Sequence, residues 1–324
     1  MIDITDIEAA AERLADVAVR TPLLQNEELD RAAGGRVLLK PECLQRTGSF
    51  KIRGAYNLLS RLSPDEAARG AVAWSSGNHA QGVAAAGAML GIHTAIVMPA
   101  DAPAAKLRNT RRLGGEVITY DRYSGDREAI ARGVAAERGA SIVPSYEHPH
   151  IIAGQGTVGL EIAEQSVELG LPADQVLICC GGGGLTSGSA IALKARLPEI
   201  MVYTVEPEFY DDTARSLAGG NRVSVSTQAR SICDALLTDA PGRMTFDIMH
   251  QLGCRGLVVS DEEVRAAMRF AFRHLKLVVE PGGAAALAAV LAGKIDTRDR
   301  NTAVVLSGGN VDFELFASIQ EDET

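Results

Sequence analysis

The chain has 324 residues, 46% hydrophobic and 23% charged, with a mean hydropathy of +0.05, a globular composition that excludes disorder, collagen and coiled coil. Its 41 acids outnumber 32 bases for a net charge of -9, which disfavours nucleic acid and anionic membrane as partners and points to a small molecule. Two lobes are expected at this length, since single cores rarely grow beyond about 250–300 residues.

The N-terminal stretch from Met1 to Glu12 is acidic and has no basic region followed by an apolar one, so no secretory signal is expected. The longest apolar runs, Val83 to Leu90 and Ala284 to Leu291, fall well short of the ~20 residues that span a bilayer. Five dispersed cysteines, with Cys179 and Cys180 adjacent, form neither a disulfide framework nor a CxxC site, and read as buried thiols. A cytoplasmic protein is expected.

Strands are predicted at Val37 to Lys40, Ala71 to Ser75, Thr94 to Met98, Glu116 to Tyr120, Ser141 to Val143, Gln175 to Cys180, Met201 to Glu206, Gly256 to Ser260 and Thr302 to Ser307. Helices are predicted at Asn78 to Leu90, Ala104 to Leu113, Asp126 to Arg138, Ile162 to Leu169, Thr186 to Arg196, Asp261 to His274 and Gly283 to Leu291. Strand then helix, with strands apolar throughout, predicts an α/β protein of doubly wound, mainly parallel sheets covered on both faces. Residues 70–148 are expected to form a small lobe, and residues 1–69 and 149–324 a large one, around a cleft.

Four segments carry chemistry. The first runs from Gln45 to Ala55 and contains Lys51. Lysine is scarce, six against 26 arginines, and is worth keeping where an amine must lose its proton, which a guanidinium cannot do. Lys51 follows Thr47-Gly48-Ser49, a predicted helix start whose positive end disfavours an ammonium. Lys106 and Lys294 read instead as solvated lysines on helix faces. The second segment, Ser75-Ser76-Gly77-Asn78-His79-Ala80-Gln81-Gly82, leads from a strand end into a helix start and suits a carboxylate, while a plain N-cap accounts for one of these residues only. His79 alone reads as a hydrogen-bonded structural histidine.

The third segment joins a strand to a helix through Gly181, Gly182, Gly183 and Gly184, and four bare backbone N–H groups at a helix start form a phosphate cup. No Lys-Ser/Thr follows, so it is not a P-loop, and Thr186 occupies the place of the third glycine of a dinucleotide fingerprint. The fourth, Ser307-Gly308-Gly309-Asn310, closes a strand with a hydroxyl where such sheets bind ligands, though taken alone a plain β-turn explains it better.

A lysine nucleophile, a phosphate cup and a carboxylate-binding turn are what pyridoxal phosphate acting on an amino acid requires. With SFKIRGA at 49–55, SSGNHAQG at 75–82, AGQGT at 153–157, GGGGL at 181–185 and SGGN at 307–310, the chain resembles the fold type II pyridoxal-phosphate enzymes. The resemblance is to the group of threonine and serine dehydratases and serine racemases, and it extends over almost the whole chain. It implies that the cofactor sits in the cleft, that Lys51 forms its Schiff base and exchanges the substrate Cα proton, and that Phe50 packs beside the ring. It further implies that Asn78 bonds the 3-hydroxyl, that Gly181, Gly182, Gly183, Gly184 and Leu185 wrap the phosphate, and that Ser307 meets the ring nitrogen. A neutral serine there keeps the pyridine poorly protonated, which favours rapid loss of a β-hydroxyl over transamination.

Ser76 matches the second-face base of the racemases, and Ser75, Ser76, Asn78, His79 and Gln155 would surround the substrate. The expected reaction dehydrates L-threonine or L-serine to a 2-oxo acid and ammonia; the alternatives are a serine racemase or a dehydratase of 3-hydroxyaspartate or of hydroxyectoine breakdown. Glu206, the Tyr210 carbonyl and Asp212 resemble the Mg²⁺ or Ca²⁺ site of the racemase-like members, with an acidic helix cap as the alternative. Asp234 reads equally as a residue near the pocket or an ordinary turn acid. Only 14 residues follow Asn310, so a C-terminal regulatory domain is not expected. The family is commonly dimeric, and a homodimer is expected.

Overall fold

The computed structural model describes residues 2–102, 104–121, 123–226 and 229–321. The first part contains α1 (Ile4–Leu14), β1 (Leu24–Gln25), α2 (Glu27–Ala33), β2 (Arg36–Pro41), α3 (Lys51–Leu59) and α4 (Pro64–Arg69). Then come β3 (Ala71–Trp74), α5 (Asn78–Leu90), β4 (Thr94–Pro99), α6 (Ala104–Arg112), β5 (Glu116–Tyr120), α7 (Arg127–Arg138), β6 (Ser141–Ile142) and α8 (Pro149–Glu168). The remainder is β7 (Gln175–Cys179), α9 (Gly184–Arg196), β8 (Met201–Pro207), α10 (Asp212–Gly219), α11 (Arg243–Gln251), β9 (Arg255–Val259), α12 (Asp261–Phe270), α13 (Pro281–Leu291), β10 (Asn301–Leu306) and α14 (Phe313–Glu321).

Two sheets result, one ordered β1-β2-β10-β7-β8-β9 and the other β5-β4-β3-β6. Their described pairings are parallel except β1 with β2. The apolar strands are buried because helices cover both faces: Leu39, Leu177 and Val304 join the core under α12 and α13, while Leu38, Ile178 and Val305 join the core under α9. The alternation along each strand thus feeds two separate cores from one run of residues. The buried face of α3, with Ile52, Ala55, Leu58 and Leu59, joins the core beneath the four-stranded sheet. No helix among the described residues is long and apolar enough to cross a membrane.

Two of the predicted helices differ from expectation. The helix predicted from Ile162 begins at Pro149, so the AGQGT motif is helical. Its glycines are there for close crossing: a Cβ on Gly156 would lie 2.7 Å from the Gly188 carbonyl oxygen, and one on Gly159 would lie 2.5 Å from Ser189 Cα. Tight contact between α8 and α9 outweighs the low helix propensity of glycine. The helix predicted as continuous to His274 changes to a π-turn over Ala271–Leu275 and stops at Lys276, which takes φ +59°.

Beneath α3 lies a buried ionic cluster. The Arg53 guanidinium donates to Glu42 Oε2 at 2.8 Å and to Glu161 Oε1 at 2.6 Å, and Lys40 Nζ donates to the same Glu161. Arg53 is 1% exposed and Lys40 and Glu42 are fully buried. The cluster ties β2, α3 and α8 together two residues beyond Lys51, which accounts for the arginine of SFKIRGA structurally.

Candidate active site

A cavity of about 620 Å³ opens where the C-terminal ends of β3, β7 and β10 face one another, the place where parallel α/β sheets bind ligands. It is lined by Phe50, Lys51, Ser75, Ser76, Asn78 and His79, and also by Gln155, the four glycines from Gly181 to Gly184, Leu185 and Ser307. The structure thus brings together every residue expected to touch cofactor or substrate. Glu206, Tyr210 and Asp212 do not line this cavity.

Lys51 is the first residue of α3 and follows Phe50, whose N–H donates to the Ser307 carbonyl at 3.2 Å. Ser49 bridges Gly308 in antiparallel fashion, so the lysine segment and the SGGN turn hold each other in place. Lys51 Nζ donates to the Ser145 carbonyl at 3.0 Å and lies 5.0 Å from the Phe50 ring centre. Burial pushes its pKa down to about 8, a cause additional to the helix end invoked from sequence.

The glycine loop fits an anionic group. α9 starts at Gly184 with Gly183 as N-cap and no side-chain cap, leaving N–H groups for a ligand. Gly183 takes φ +91°, and a Cβ on Gly182 would meet the Tyr146 ring at 2.3 Å. Thr245 Oγ1 donates to the Gly182 carbonyl at 2.7 Å and fixes the loop from behind. Only glycine fits between Tyr146 and Thr245.

Helix α5 likewise begins without a side-chain cap. The Ser75 hydroxyl accepts from Gly77 N–H at 3.1 Å. His79 Nε2 is 2.8 Å from the Val143 carbonyl, so it donates there, and burial pushes the pKa down to about 3. The neutral ring uses its one proton on Val143, in keeping with the structural reading of His79, which also lines the cavity. The Ser307 hydroxyl lies 3.0 Å from Cys179 Sγ, a thiol that burial pushes up to about 11 and so keeps protonated as the donor.

Residues 14–308 match the family described as "Pyridoxal-phosphate dependent enzyme". The chain belongs to this family. The enzyme is 44% identical over 97% of both chains to L-threo-3-hydroxyaspartate ammonia-lyase of a Pseudomonas species. It is 41% identical to serine racemase of Schizosaccharomyces pombe over 96% of this chain and 95% of the relative. Among solved structures it resembles a threonine deaminase from T.th., with a TM-score of 0.90, 42% identity and coverage of 96% and 99% of the two chains. Maize serine racemase superposes with a TM-score of 0.92 at 36% identity, covering 98% of this chain and 96% of that one.

Sequence reasoning missed several residues of the enzyme's cavity. Lys106, read as solvated, is only 19% exposed in its side chain and pairs with Asp234 at 2.9 Å, joining α6 to the turn after Cys233 across the cavity mouth. Tyr146 and Glu280 also line the wall. Glu280 precedes Pro281-Gly282-Gly283 at the start of α13, and an acid between an apolar run and Pro-Gly-Gly was the available signal.

At the expected metal site Glu206 accepts from the Thr213 and Ala214 N–H groups at 2.9 and 2.7 Å, so it does cap α10. Both Asp212 carboxylate oxygens are buried without a partner. Burial, then the neighbouring Asp212, pushes Glu206 up to about 8, and burial pushes Asp212 up to about 7. The Tyr210 hydroxyl donates to the Ala229 carbonyl at 3.0 Å. Among the described residues no three His, Cys, Asp or Glu side chains gather around one metal position. Two buried carboxylates, one of them unpartnered, nevertheless fit a hard divalent cation completed by carbonyl and water oxygens.

Proposed function

We propose that the enzyme is an ammonia-lyase that removes water from a β-hydroxy amino acid and releases a 2-oxo acid and ammonia, with Lys51 as the catalytic amine. The observation that carries this reading is a buried lysine with its pKa lowered to about 8, in one cavity with an uncapped glycine N-terminus. Bound here, pyridoxal phosphate supplies an electron sink that acidifies the substrate Cα–H. The N–H groups of Gly181 to Gly184 and Leu185 bind the phosphate, Ser307 donates to the ring nitrogen, and Asn78 donates to the 3-hydroxyl. Phe50 packs against the ring edge. The uncapped start of α5, with Ser75, Asn78 and Gln155, holds the substrate carboxylate. Lys51 accepts the Cα proton and, as the ammonium, passes it to the β-hydroxyl, which leaves as water. The enamine so released tautomerises and is hydrolysed, which expels ammonia.

Substrates of this class include L-threonine, L-serine and 3-hydroxyaspartate. The second reading, an amino-acid racemase, is supported by Ser76 in the cavity wall, which matches the serine by which the racemases return the proton from the second face. A panel of these amino acids, assayed for 2-oxo acid, ammonia and the D-enantiomer, tests both: abundant D-serine with little 2-oxo acid overturns the lyase reading. Borohydride trapping followed by peptide mapping should label Lys51.

We also propose Mg²⁺ or Ca²⁺ at Glu206, the Tyr210 carbonyl and Asp212, a homodimer by analogy with the family, and a cytoplasmic site supported by five free cysteines. A monomeric mass in solution overturns the dimer.

A further inference from the structure

We propose that Glu280 is a positioning residue that, together with Asn310, locks the Asn78 side-chain amide with one N–H turned toward the cofactor site. The inference rests on the pyridoxal-phosphate reading of the cavity, which Asn78, Glu280 and Asn310 all line.

An asparagine amide can present either its oxygen or its nitrogen, and only its partners decide which. Asn310 Nδ2 donates to the Thr47 carbonyl at 2.7 Å and to Asn78 Oδ1 at 2.8 Å, which uses both its protons. The Thr47 carbonyl is set by an unusual left-handed backbone, φ +64°. Asn78 Oδ1 is thereby fixed on the Asn310 side. Asn78 Nδ2 then donates one proton to Glu280 Oε1, and its second proton remains for a ligand. Turning the amide over would set two N–H groups against each other at Asn310 and two oxygens against each other at Glu280.

Among the described residues, the hydrogen bond of this carboxylate goes to Asn78. Glu280 is the N-cap residue of α13 yet makes no side-chain cap bond, and it is 5% exposed. Burial pushes its pKa up to about 7, opposed first by the Asn78 hydrogen bond. Its Oε1 lies 2.2 Å from where a Gly308 Cβ would stand, so the glycine of the Ser307 turn is what admits it. A buried carboxylate is unfavourable without a matching donor, and the donor here is the Asn78 amide.

The test compares wild type with Glu280→Ala, Glu280→Gln and Asn310→Asp. The readouts are the cofactor dissociation constant, followed by quenching of Trp74 in the cavity wall, and the position of the visible band of the bound cofactor. Glu280→Ala should loosen cofactor binding about tenfold and move the band. Glu280→Gln, which keeps an acceptor at the same place, should stay within about threefold and leave the band unmoved. Asn310→Asp, isosteric and unable to donate, should behave like Glu280→Ala and serves if that variant does not fold. Wild-type affinity in either disabling variant, or Glu280→Gln as weak as Glu280→Ala, overturns the clamp. Absence of any visible band in wild type would overturn the cofactor reading and the clamp with it.

Discussion

Lys51 Nζ donates to the Ser145 carbonyl oxygen at 3.0 Å, a neutral acceptor that stabilises an ammonium less than a paired carboxylate would. Burial lowers the amine to about 8, from an ordinary value near 10.4. In the cofactor-free enzyme the neutral amine therefore becomes the major form above about pH 8, so the rate of covalent loading should rise with pH and level off near there. Stopped-flow loading across pH 6.5 to 10, on the order of one titration, checks this; a rate still climbing at pH 10 would contradict it.

Gly182 faces the Tyr146 ring at 2.3 Å from its would-be Cβ. Gly182→Ala should displace the loop at an expense of about 1–3 kcal/mol, seen as roughly ten- to hundredfold weaker cofactor binding. Adding Tyr146→Ala should restore part of the loss, because the obstacle is the ring; equilibrium titration of both variants measures it.

Arg53 joins Glu42 and Glu161 while 1% exposed. Arg53→Met leaves the buried Glu42 and the partly buried Glu161 with only Lys40 between them, and stability should fall by about 3–5 kcal/mol. Urea unfolding of the cofactor-free chain checks this without involving activity.

Asp212 has two buried oxygens without partners. Millimolar Mg²⁺ or Ca²⁺ should raise the Tm of wild type through preferential binding to the folded chain, and Asp212→Asn should abolish that response. An equal shift in both proteins would place the cation elsewhere.

Lys106 and Asp234 meet across the cavity mouth, with Asp234 60% exposed in its side chain. Exposed pairs contribute about 0–1 kcal/mol, so Lys106→Met should raise the substrate KM no more than about fivefold and leave kcat nearly unchanged. Steady-state kinetics separates this from a loss of chemistry.

What could be read from sequence alone was local. Nine strands, the helix start at Asn78 and the glycine loop each announce themselves within a few residues, and Lys51 stands out by the scarcity of its type. The helical turns before Ile162 were missed because glycines 154, 156 and 159 find their reason in the surface of α9, another part of the chain. Glu280 gave only the weak signal of an acid before Pro-Gly-Gly, because its partner Asn78 is 202 residues away. The Cys179 thiol is 128 residues from the Ser307 hydroxyl it meets, and Lys106 is 128 from Asp234. Backbone preferences and residue chemistry are properties of short segments, whereas the orientation of an amide, the protonation of a buried acid and the closing of a cleft depend on which strand ends the parallel sheets bring face to face.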